Sequence, residues 1–262
     1  MYKILMNNNS FVTTKINVKT DKLKNPIKVA VLSDLHNKEY GIKNFDLVEA
    51  IRNSCPDIIA IVGDLMTYGN PDYSVVIDLC NNIKNIAPVY YSFGNHEYDM
   101  VTFHGSKIGK DLKRIGINVF EGAHIKTEIN KNIISINGLE CDPSSFSERR
   151  QKQLEEFLSE QNFKLLLVHD PGYFDPRLKP GHKRNLIGKD IDVALCGHRH
   201  GGQWSIPGIG GLYMPDVGLF PKYTSGDNLC GKTHVVVSRG LGDHHRIFRI
   251  NNPHELLIVN IS

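Results

Sequence analysis

Five short motifs supply side chains of the kinds that bind metal ions. They are SDLH at 33–36, GDL at 63–65, GNHE at 94–97, VHD at 168–170 and GHRH at 197–200. Carboxylate, imidazole and amide groups without a thiolate favour divalent ions such as Mn, Fe, Co or Zn in a reactive site over a structural zinc site. The candidate ligands, sufficient for two ions, are Asp34, His36, Asp64, Asn95, His169, His198 and His200.

The spacing inside the motifs suggests how ions are held. Successive side chains of an extended segment point to opposite faces, so residues two apart share one side. Asp34 and His36 are therefore expected to chelate one ion together, and the same geometry is available to His198 and His200. The carboxylate of Asp64 has the oxygen chemistry to bridge two ions.

Each of these residues also has a plain structural interpretation when taken alone. Asp34 and Asp64 suit helix caps or turns, and His169 suits a buried histidine whose hydrogen bonds are satisfied. The structural interpretation would require ligand chemistry to occur by accident in all five motifs. The combined pattern therefore favours a metal site.

A short apolar run leads into each motif. The runs at 28–34, 57–64, 88–95, 164–170 and 192–197 are typical of buried strands. In open α/β sheets the ligand crevice lies beyond the carboxyl ends of the strands. We therefore expect five loops to bring the candidate ligands to one place.

The elements between these runs predict the sheet type. Segments 45–54 and 73–85 have apolar residues at helical spacing, which gives strand–helix–strand units and hence a parallel sheet. A strand at 131–140 and a helix at 147–161 continue the pattern. We predict an α/β fold with two packed mixed β-sheets flanked by helices, an αββα sandwich, in a single domain over 1–262.

The two ends of the chain add further strands to this prediction. Segment 11–19 alternates apolar and polar residues, as in a half-buried strand. Segments 233–240 and 255–261 predict late strands of a second sheet, and a long Gly/Pro-rich loop is expected between 201 and 232. Five cysteines without a CxxC pair predict reduced thiols and no disulfide framework.

The five motifs, in this order, resemble the calcineurin-like metallophosphoesterase superfamily, whose pattern is DxH, GD, GNHE or GNHD, a lone His and GHxH. The resemblance runs from about Lys28 to the C-terminus, and GHRHGGQWSIPG and SRGLGDHHRIFRINNPHELLIVNI are similar to a bacterial branch of single-domain members. It implies a first ion held by Asp34, His36 and His200. It also implies a second ion held by Asn95, His169 and His198, with Asp64 bridging both.

The resemblance further implies hydrolysis of a phosphate ester by a metal-bridging hydroxide. Asn95 would contact a phosphoryl oxygen, and His96 would be the general acid for the leaving oxygen. Glu97 either orients His96 or accepts hydrogen bonds from the backbone. Arg199 departs from the family, which usually has a small hydroxyl residue there. It would bind a second phosphate or a carboxylate of the substrate, or else pair with Asp170 or Asp216.

Composition limits the substrate. The formal net charge is +3, and Lys and Arg are spread along the chain without a basic stripe, which argues against a nucleic-acid partner. We therefore expect a small phosphodiester or phosphomonoester, with a weak preference for diesters from the resemblance alone. A metal-dependent nuclease would need a DNA-binding surface, and a non-catalytic scaffold on the same fold predicts missing ligands.

Sequence patterns also bear on location. No apolar segment approaches the roughly 20 residues that cross a bilayer, and MYKILMNNNSF has no basic region followed by an apolar core. We expect a cytoplasmic protein without a transmembrane segment, and leave peripheral contact with a membrane open.

Overall fold

Strands dominate the computed structural model, which describes residues 10–120, 124–139, 148–177, 185–206, 210–214, 218–243 and 249–262. The α-helices in these ranges are α1 (Phe45–Ser54), α2 (Ser74–Ile83), α3 (Asn95–His104), α4 (Ile108–Arg114) and α5 (Glu148–Ser159). The strands are β1 (Phe11–Val18), β2 (Ile27–Leu32), β3 (Ile58–Val62), β4 (Val89–Ser92), β5 (Asn118–Val119), β6 (Ile125–Ile129), β7 (Asn132–Leu139), β8 (Phe163–Val168), β9 (Val193–Cys196), β10 (Trp204–Ile206), β11 (Gly210–Met214), β12 (Gly218–Leu219), β13 (Gly226–Cys230), β14 (Thr233–Val237) and β15 (His254–Ile261).

Two six-stranded sheets form the centre of the described structure. The first has the order β1-β15-β2-β3-β4-β5, and its strands from β2 to β5 run parallel. The second has the order β13-β14-β9-β8-β7-β6, in which β14, β9, β8 and β7 run parallel. The loops that follow these parallel strands therefore collect at the carboxyl edge of each sheet.

The apolar residues of the strands bury both faces of the sheets, as parallel strands under helices require. On β3, Ile58, Ala60 and Val62 face the core between the two sheets, where they join residues of β8 and β9. Ile59 and Ile61 face the opposite side, under helices α1 and α2. A third core lies between the second sheet and α5. These layers confirm the predicted αββα sandwich; the single-domain assignment stays a prediction.

The placement of the last strand was wrong in the sequence-based prediction. Segment 255–261 does not join the second sheet, because β15 lies in the first sheet between β1 and β2 and runs antiparallel to β2. The continuous apolar run at 256–259 fits either buried sheet, so the sequence pattern did not distinguish between the two sheets. The start of β15 consequently lies at the edge where β2 ends.

The prediction of a long loop between 201 and 232 was also wrong. This segment contains β13 and a three-stranded antiparallel sheet of β10, β11 and β12. Glycine permits a positive φ, as at Gly210 (101°) and Gly218 (90°), the first residues of β11 and β12, whereas in a sequence glycines are typical of loops. Within the described ranges, every helix is too short or too polar to cross a bilayer.

Candidate metal centre

All seven predicted ligands lie just beyond the carboxyl ends of strands. Asp34 and His36 follow β2, and Asp64 follows β3. Asn95 begins α3 after β4, while β8 and β9 of the second sheet lead to His169 and to the GHRH motif. Because both sheets present this edge to the same side, the structure brings the His and Asp members together in overlapping groups.

One group consists of Asp34, His36 and His200, whose ligand atoms all lie within 4.8 Å of one another. His200 Nε2 is 3.3 Å from His36 Nε2 and 3.4 Å from Asp34 Oδ1. Asp34 is fully buried, and burial raises the pKa of its carboxyl to about 6, with the nearby charge of Asp64 acting in the same direction. A cation between these groups would relieve that crowding of negative charge.

A second group consists of Asp64, His169 and His198, within the same 4.8 Å limit. His169 Nε2 is 3.1 Å from Asp64 Oδ2 and 3.2 Å from His198 Nδ1. The other ring nitrogen of His169 donates to the Val62 carbonyl at 2.6 Å, which leaves Nε2 with a lone pair for an ion. Asp64 also groups with His36 and His96, so its carboxylate lies between the two sets of ligands.

Asn95 and His96 stand at the start of α3 and line the same cleft as His36. Asn95 Oδ1 is buried, and no donor among the described residues reaches it. A buried amide oxygen without a partner is costly unless something not yet counted, such as an ion, satisfies it. The donor set and this atom together fit two divalent cations.

The backbone at the centre differs from the extended segments that the spacing implied. Five of the seven predicted ligands have positive φ: Asp34 52°, His36 51°, Asp64 55°, His198 68° and His200 44°. Such conformations cost energy for residues other than glycine and cluster at functional sites. Because the segment between them turns, His198 and His200 lie in different groups, which is the division that the family resemblance implied.

Glycine at position 94 permits the close approach of two motifs. A Cβ atom there would lie 2.1 Å from Asp64 Oδ1, so any larger residue would displace that carboxylate. In the actual geometry, Asp64 Oδ1 accepts a hydrogen bond from the His96 backbone N–H at 2.9 Å. The GNHE and GD motifs are therefore one structural unit.

The sequence left two roles open for Glu97, orienting His96 or accepting hydrogen bonds from the backbone, and its contacts match the second. Its buried carboxylate accepts hydrogen bonds from four backbone N–H groups and from the Tyr91 hydroxyl, and three of those N–H groups belong to Asp64, Leu65 and Met66. Glu97 therefore acts as a backbone acceptor that holds the turn carrying Asp64. Burial raises the pKa of Glu97, and the nearby Asp64 adds to that effect.

Replacing Glu97 by Gln is expected to destabilise the protein by about 3 kcal/mol, because an amide group would face donors where a carboxylate oxygen now accepts. Urea unfolding measures the loss. Tyr91→Phe, which removes a single donor, should cost about 1 kcal/mol. Equal stabilities of Glu97→Gln and wild type would show that the carboxylate does not organise the turn.

Arg199 forms an ion pair with Asp170, one of the two partners that the sequence suggested. Only 7% of the residue is exposed, and its guanidinium donates to Asp170 Oδ1 at 2.8 Å and lies 3.4 Å from Met214 Sδ. Asp216, the other predicted partner, lies outside the described residues. A buried guanidinium that is already paired does not favour the predicted role of Arg199 in substrate binding.

The cleft beside the centre measures about 450 Å³. Its lining, beyond the motif residues, includes Thr67, Tyr68, Asp99 and Asp243. These four residues were not identified from the sequence, since each lies in a loop or on a helix face without a motif of its own. A cavity of this size accommodates a small molecule.

Comparison with known proteins supports the assignment. The model of the calcineurin-like phosphoesterase family matches residues 27–202, about two-thirds of the chain. Phosphodiesterase YaeI of Escherichia coli K12 is 26% identical over 245 residues, covering 90% of this chain and 82% of that protein. An uncharacterised metallophosphoesterase of Campylobacter jejuni is 27% identical over 268 residues, covering 97% of this chain and 65% of that protein.

A solved structure supports the fold. Protein TT1561 of Thermus thermophilus matches with a TM-score of 0.52 and 14% identity, covering 84% of this chain and 90% of that one. The fold, the ligand-rich edge and the family match together define a metal-dependent hydrolase of phosphoric esters. The chain belongs to the calcineurin-like phosphoesterase family, and the resemblance seen in the five motifs is confirmed.

Proposed function

We propose that the protein uses two divalent ions, of Mn, Fe, Zn or Co, to hydrolyse a small phosphodiester or phosphomonoester. The observation that carries this proposal is the pair of ligand groups on either side of Asp64, next to an open cleft. Asp34, His36 and His200 would hold one ion. His169, His198 and Asn95 would hold the other, with Asp64 shared.

Two such ions, when bound, supply Lewis acidity toward the phosphoryl oxygens and lower the pKa of a bound water toward about 7. The residues of the chain supply the rest. The Asn95 amide can donate to a phosphoryl oxygen from the first turn of α3, where the helix N-terminus also favours negative charge. Buried ligands with fixed backbone hydrogen bonds, such as Asp64 and His169, hold this arrangement rigid.

His96 is proposed as the acid that protonates the leaving oxygen. Its Nδ1 accepts the Tyr68 backbone N–H at 2.7 Å, so the proton of the neutral ring is on Nε2. To act as an acid, the ring must first take up a second proton at Nδ1, which displaces this hydrogen bond, and it becomes neutral again once Nε2 has given its proton to the leaving oxygen. That nitrogen lies 3.8 Å from Asp64 Oδ2, at the edge of the ligand groups. It is therefore placed to donate a proton beside the reacting phosphorus.

A small substrate is favoured over nucleic acid. The cleft holds a volume typical of small-molecule sites, and no Lys or Arg is among the described residues that line it. Nuclease activity would need cations along a groove to bind successive phosphates. The name of the Escherichia coli relative, a phosphodiesterase, supports the preference for diesters.

Metal removal tests the proposal. Purified protein with Mn²⁺ is expected to cleave bis-p-nitrophenyl phosphate or p-nitrophenyl phosphate, releasing p-nitrophenol. EDTA should lower the rate at least about 100-fold, because the ions supply several kcal/mol of charge stabilisation, and added Mn²⁺ should restore it. Metal analysis of the same sample should give two ions per chain.

Two outcomes would contradict the proposal. Failure to cleave any phosphate ester with any divalent ion would favour the scaffold alternative. Faster cleavage of DNA or RNA than of every small ester would favour the nuclease alternative.

A further inference from the structure

The start of β15 and the residues before it reach the metal centre, although they lie beyond the part of the chain matched by the family model. The reason is topological. Since β15 is antiparallel to β2, it begins at the edge where β2 ends and where Asp34 follows. We call residues 249–255 the C-terminal clamp.

Asn252 is the part of the clamp that holds the turn after His200. Its side chain is buried, and Nδ2 donates to the His200 carbonyl at 2.6 Å and to the Gln203 carbonyl at 3.2 Å. The turn itself is packed against this side chain, since a Cβ at Gly201 (φ 64°) would lie 2.1 Å from Asn252 Oδ1. Asn252 therefore fixes the backbone from which the His200 ring projects.

Arg249 holds the loop at 239–242, which follows β14. Its guanidinium donates to the carbonyls of Arg239 at 2.7 Å and Gly242 at 2.5 Å, and Nη2 lies 3.1 Å from His200 Nδ1. Glu255 accepts the Arg239 backbone N–H at 2.9 Å. The clamp thus fixes both the path of this loop and its distance from the His200 ring.

The loop that Arg249 holds also supports Asp34. The Gly242 N–H donates to the Asp34 carbonyl at 2.5 Å, and the Leu241 N–H donates to the Ser33 carbonyl at 2.9 Å. A Cβ at Gly240 would lie 2.7 Å from Asp34 Cβ, so the loop packs directly on this ligand. Two of the three ligands in the first group, Asp34 and His200, therefore depend on the clamp.

Two ligands of the second group, Asp64 and His169, are held by other parts of the chain. Asp64 is positioned by Glu97 through the backbone of its turn, and His169 by the Val62 carbonyl. Neither Asn252 nor Arg249 contacts these supports in the described residues. The direct supports of Asp64 and His169 therefore lie outside the clamp, while Asp34 also accepts the His198 backbone N–H at 3.1 Å and so joins the two groups.

We propose that Asn252 and Arg249 are positioning residues for one ion of the pair, the ion held by Asp34, His36 and His200. This inference rests on the proposed dinuclear function. Loss of the clamp contacts should weaken binding of that ion about 10- to 100-fold, the usual effect of removing the groups that orient a ligand, and leave the other ion bound.

The test compares Asn252→Asp with Asn251→Asp. The first substitution keeps the shape of the Asn252 side chain but places a carboxylate oxygen against two carbonyl oxygens. Position 251 is the exposed neighbour, so the control makes the same charge change outside the network of contacts that Asn252 forms. Binding of Mn²⁺ is measured by equilibrium dialysis with metal analysis, and spin coupling of the Mn²⁺ pair by EPR.

We expect two coupled ions in wild type and in Asn251→Asp. In Asn252→Asp we expect one uncoupled ion at the Mn²⁺ concentration that saturates wild type, with turnover returning as Mn²⁺ is raised. Arg249→Lys provides a second variant, should Asn252→Asp fail to fold. It keeps the charge but loses the planar fork that reaches two carbonyls, and it should show the same selective loss.

The outcomes separate this inference from the proposed function. Wild-type affinity for both ions in the folded variants would overturn it, as would equal weakening of both ions in parallel with a lower melting temperature. A wild-type protein that binds no stoichiometric metal would overturn the proposed function itself.

Discussion

Replacing Asp64 by Asn is expected to lower the turnover of phosphate ester hydrolysis at least about 1000-fold, because the substitution removes the carboxylate that we propose both ions share. Burial alone would raise the pKa of Asp64, but electrostatic interaction and hydrogen bonding with His169 hold it well below its usual range. The lowered pKa favours the ionised carboxylate, which is the form that binds a cation.

The geometry explains why the shape of Asn does not suffice. Asp64 Oδ1 accepts the His96 backbone N–H at 2.9 Å, and an amide oxygen can keep that bond. The amide NH₂ would then replace Oδ2, which now lies 3.1 Å from His169 Nε2. A donor in that position repels a cation, so we expect metal content to fall to one ion per chain or fewer.

The matched control is Asp72→Asn. Asp72 lies in the loop after the same strand, is exposed, and accepts a hydrogen bond from the Ser74 N–H at 2.9 Å, which Asn also accepts. Its turnover should stay within about twofold of wild type. If Asp64→Asn kept two ions and wild-type turnover, Asp64 would not be the shared ligand.

The convergence of the ligands was predictable because two local signals agreed. Apolar runs identified strands, and the residues that follow parallel strands must collect at one edge. Asp34 and His169 are 135 positions apart in the chain, yet His169 Nε2 lies 3.9 Å from Asp34 Oδ1. Their proximity could be predicted without any sequence spacing between the two residues, since the topology alone brings the strand ends together.

The residues that hold the ligands in place were harder to predict from the sequence. Glu97 was seen in the GNHE motif, but its five donors come mainly from backbone on another loop and from Tyr91, which no local pattern reveals. The role of Asn252 depended on placing β15 in the first sheet, and the sequence-based prediction placed it in the second. Tertiary packing decided both cases.

Arg199 shows a second limit of prediction from the sequence, which is that residue type alone does not fix a role. Its position between two candidate ligands left both a role in substrate binding and an ion pair open from residue type. The structure places the guanidinium 2.8 Å from Asp170, which follows the candidate ligand His169 in the loop after β8. Only the three-dimensional path of the chain distinguishes these alternatives.

Replacing His96 by Asn is expected to slow hydrolysis of an alkyl phosphodiester about 100- to 10,000-fold, the usual contribution of a positioned general acid. Asn is the informative substitution, because its Oδ1 takes the place of Nδ1 and can keep the 2.7 Å hydrogen bond from the Tyr68 N–H. What it removes is the ring that can take up a second proton and deliver one from Nε2. Metal content should stay at two ions per chain.

The leaving group provides the decisive comparison for His96. A p-nitrophenolate ion departs without a proton, so bis-p-nitrophenyl phosphate should lose no more than about tenfold in the same variant, while an alkyl diester of glycerol shows the full loss. His104→Asn is the matched control, since His104 lies on the same helix and its Nε2 is 3.4 Å from the Tyr68 hydroxyl. It should leave both rates near wild type.

Two results would contradict the acid role. Equal losses on the aryl and alkyl esters would show that His96 does not protonate the leaving oxygen. Loss of an ion from His96→Asn would identify His96 as a ligand, an arrangement that the group of His36, Asp64 and His96 makes geometrically accessible. Because the two results differ in metal content, a single preparation of the variant distinguishes an acid from a ligand.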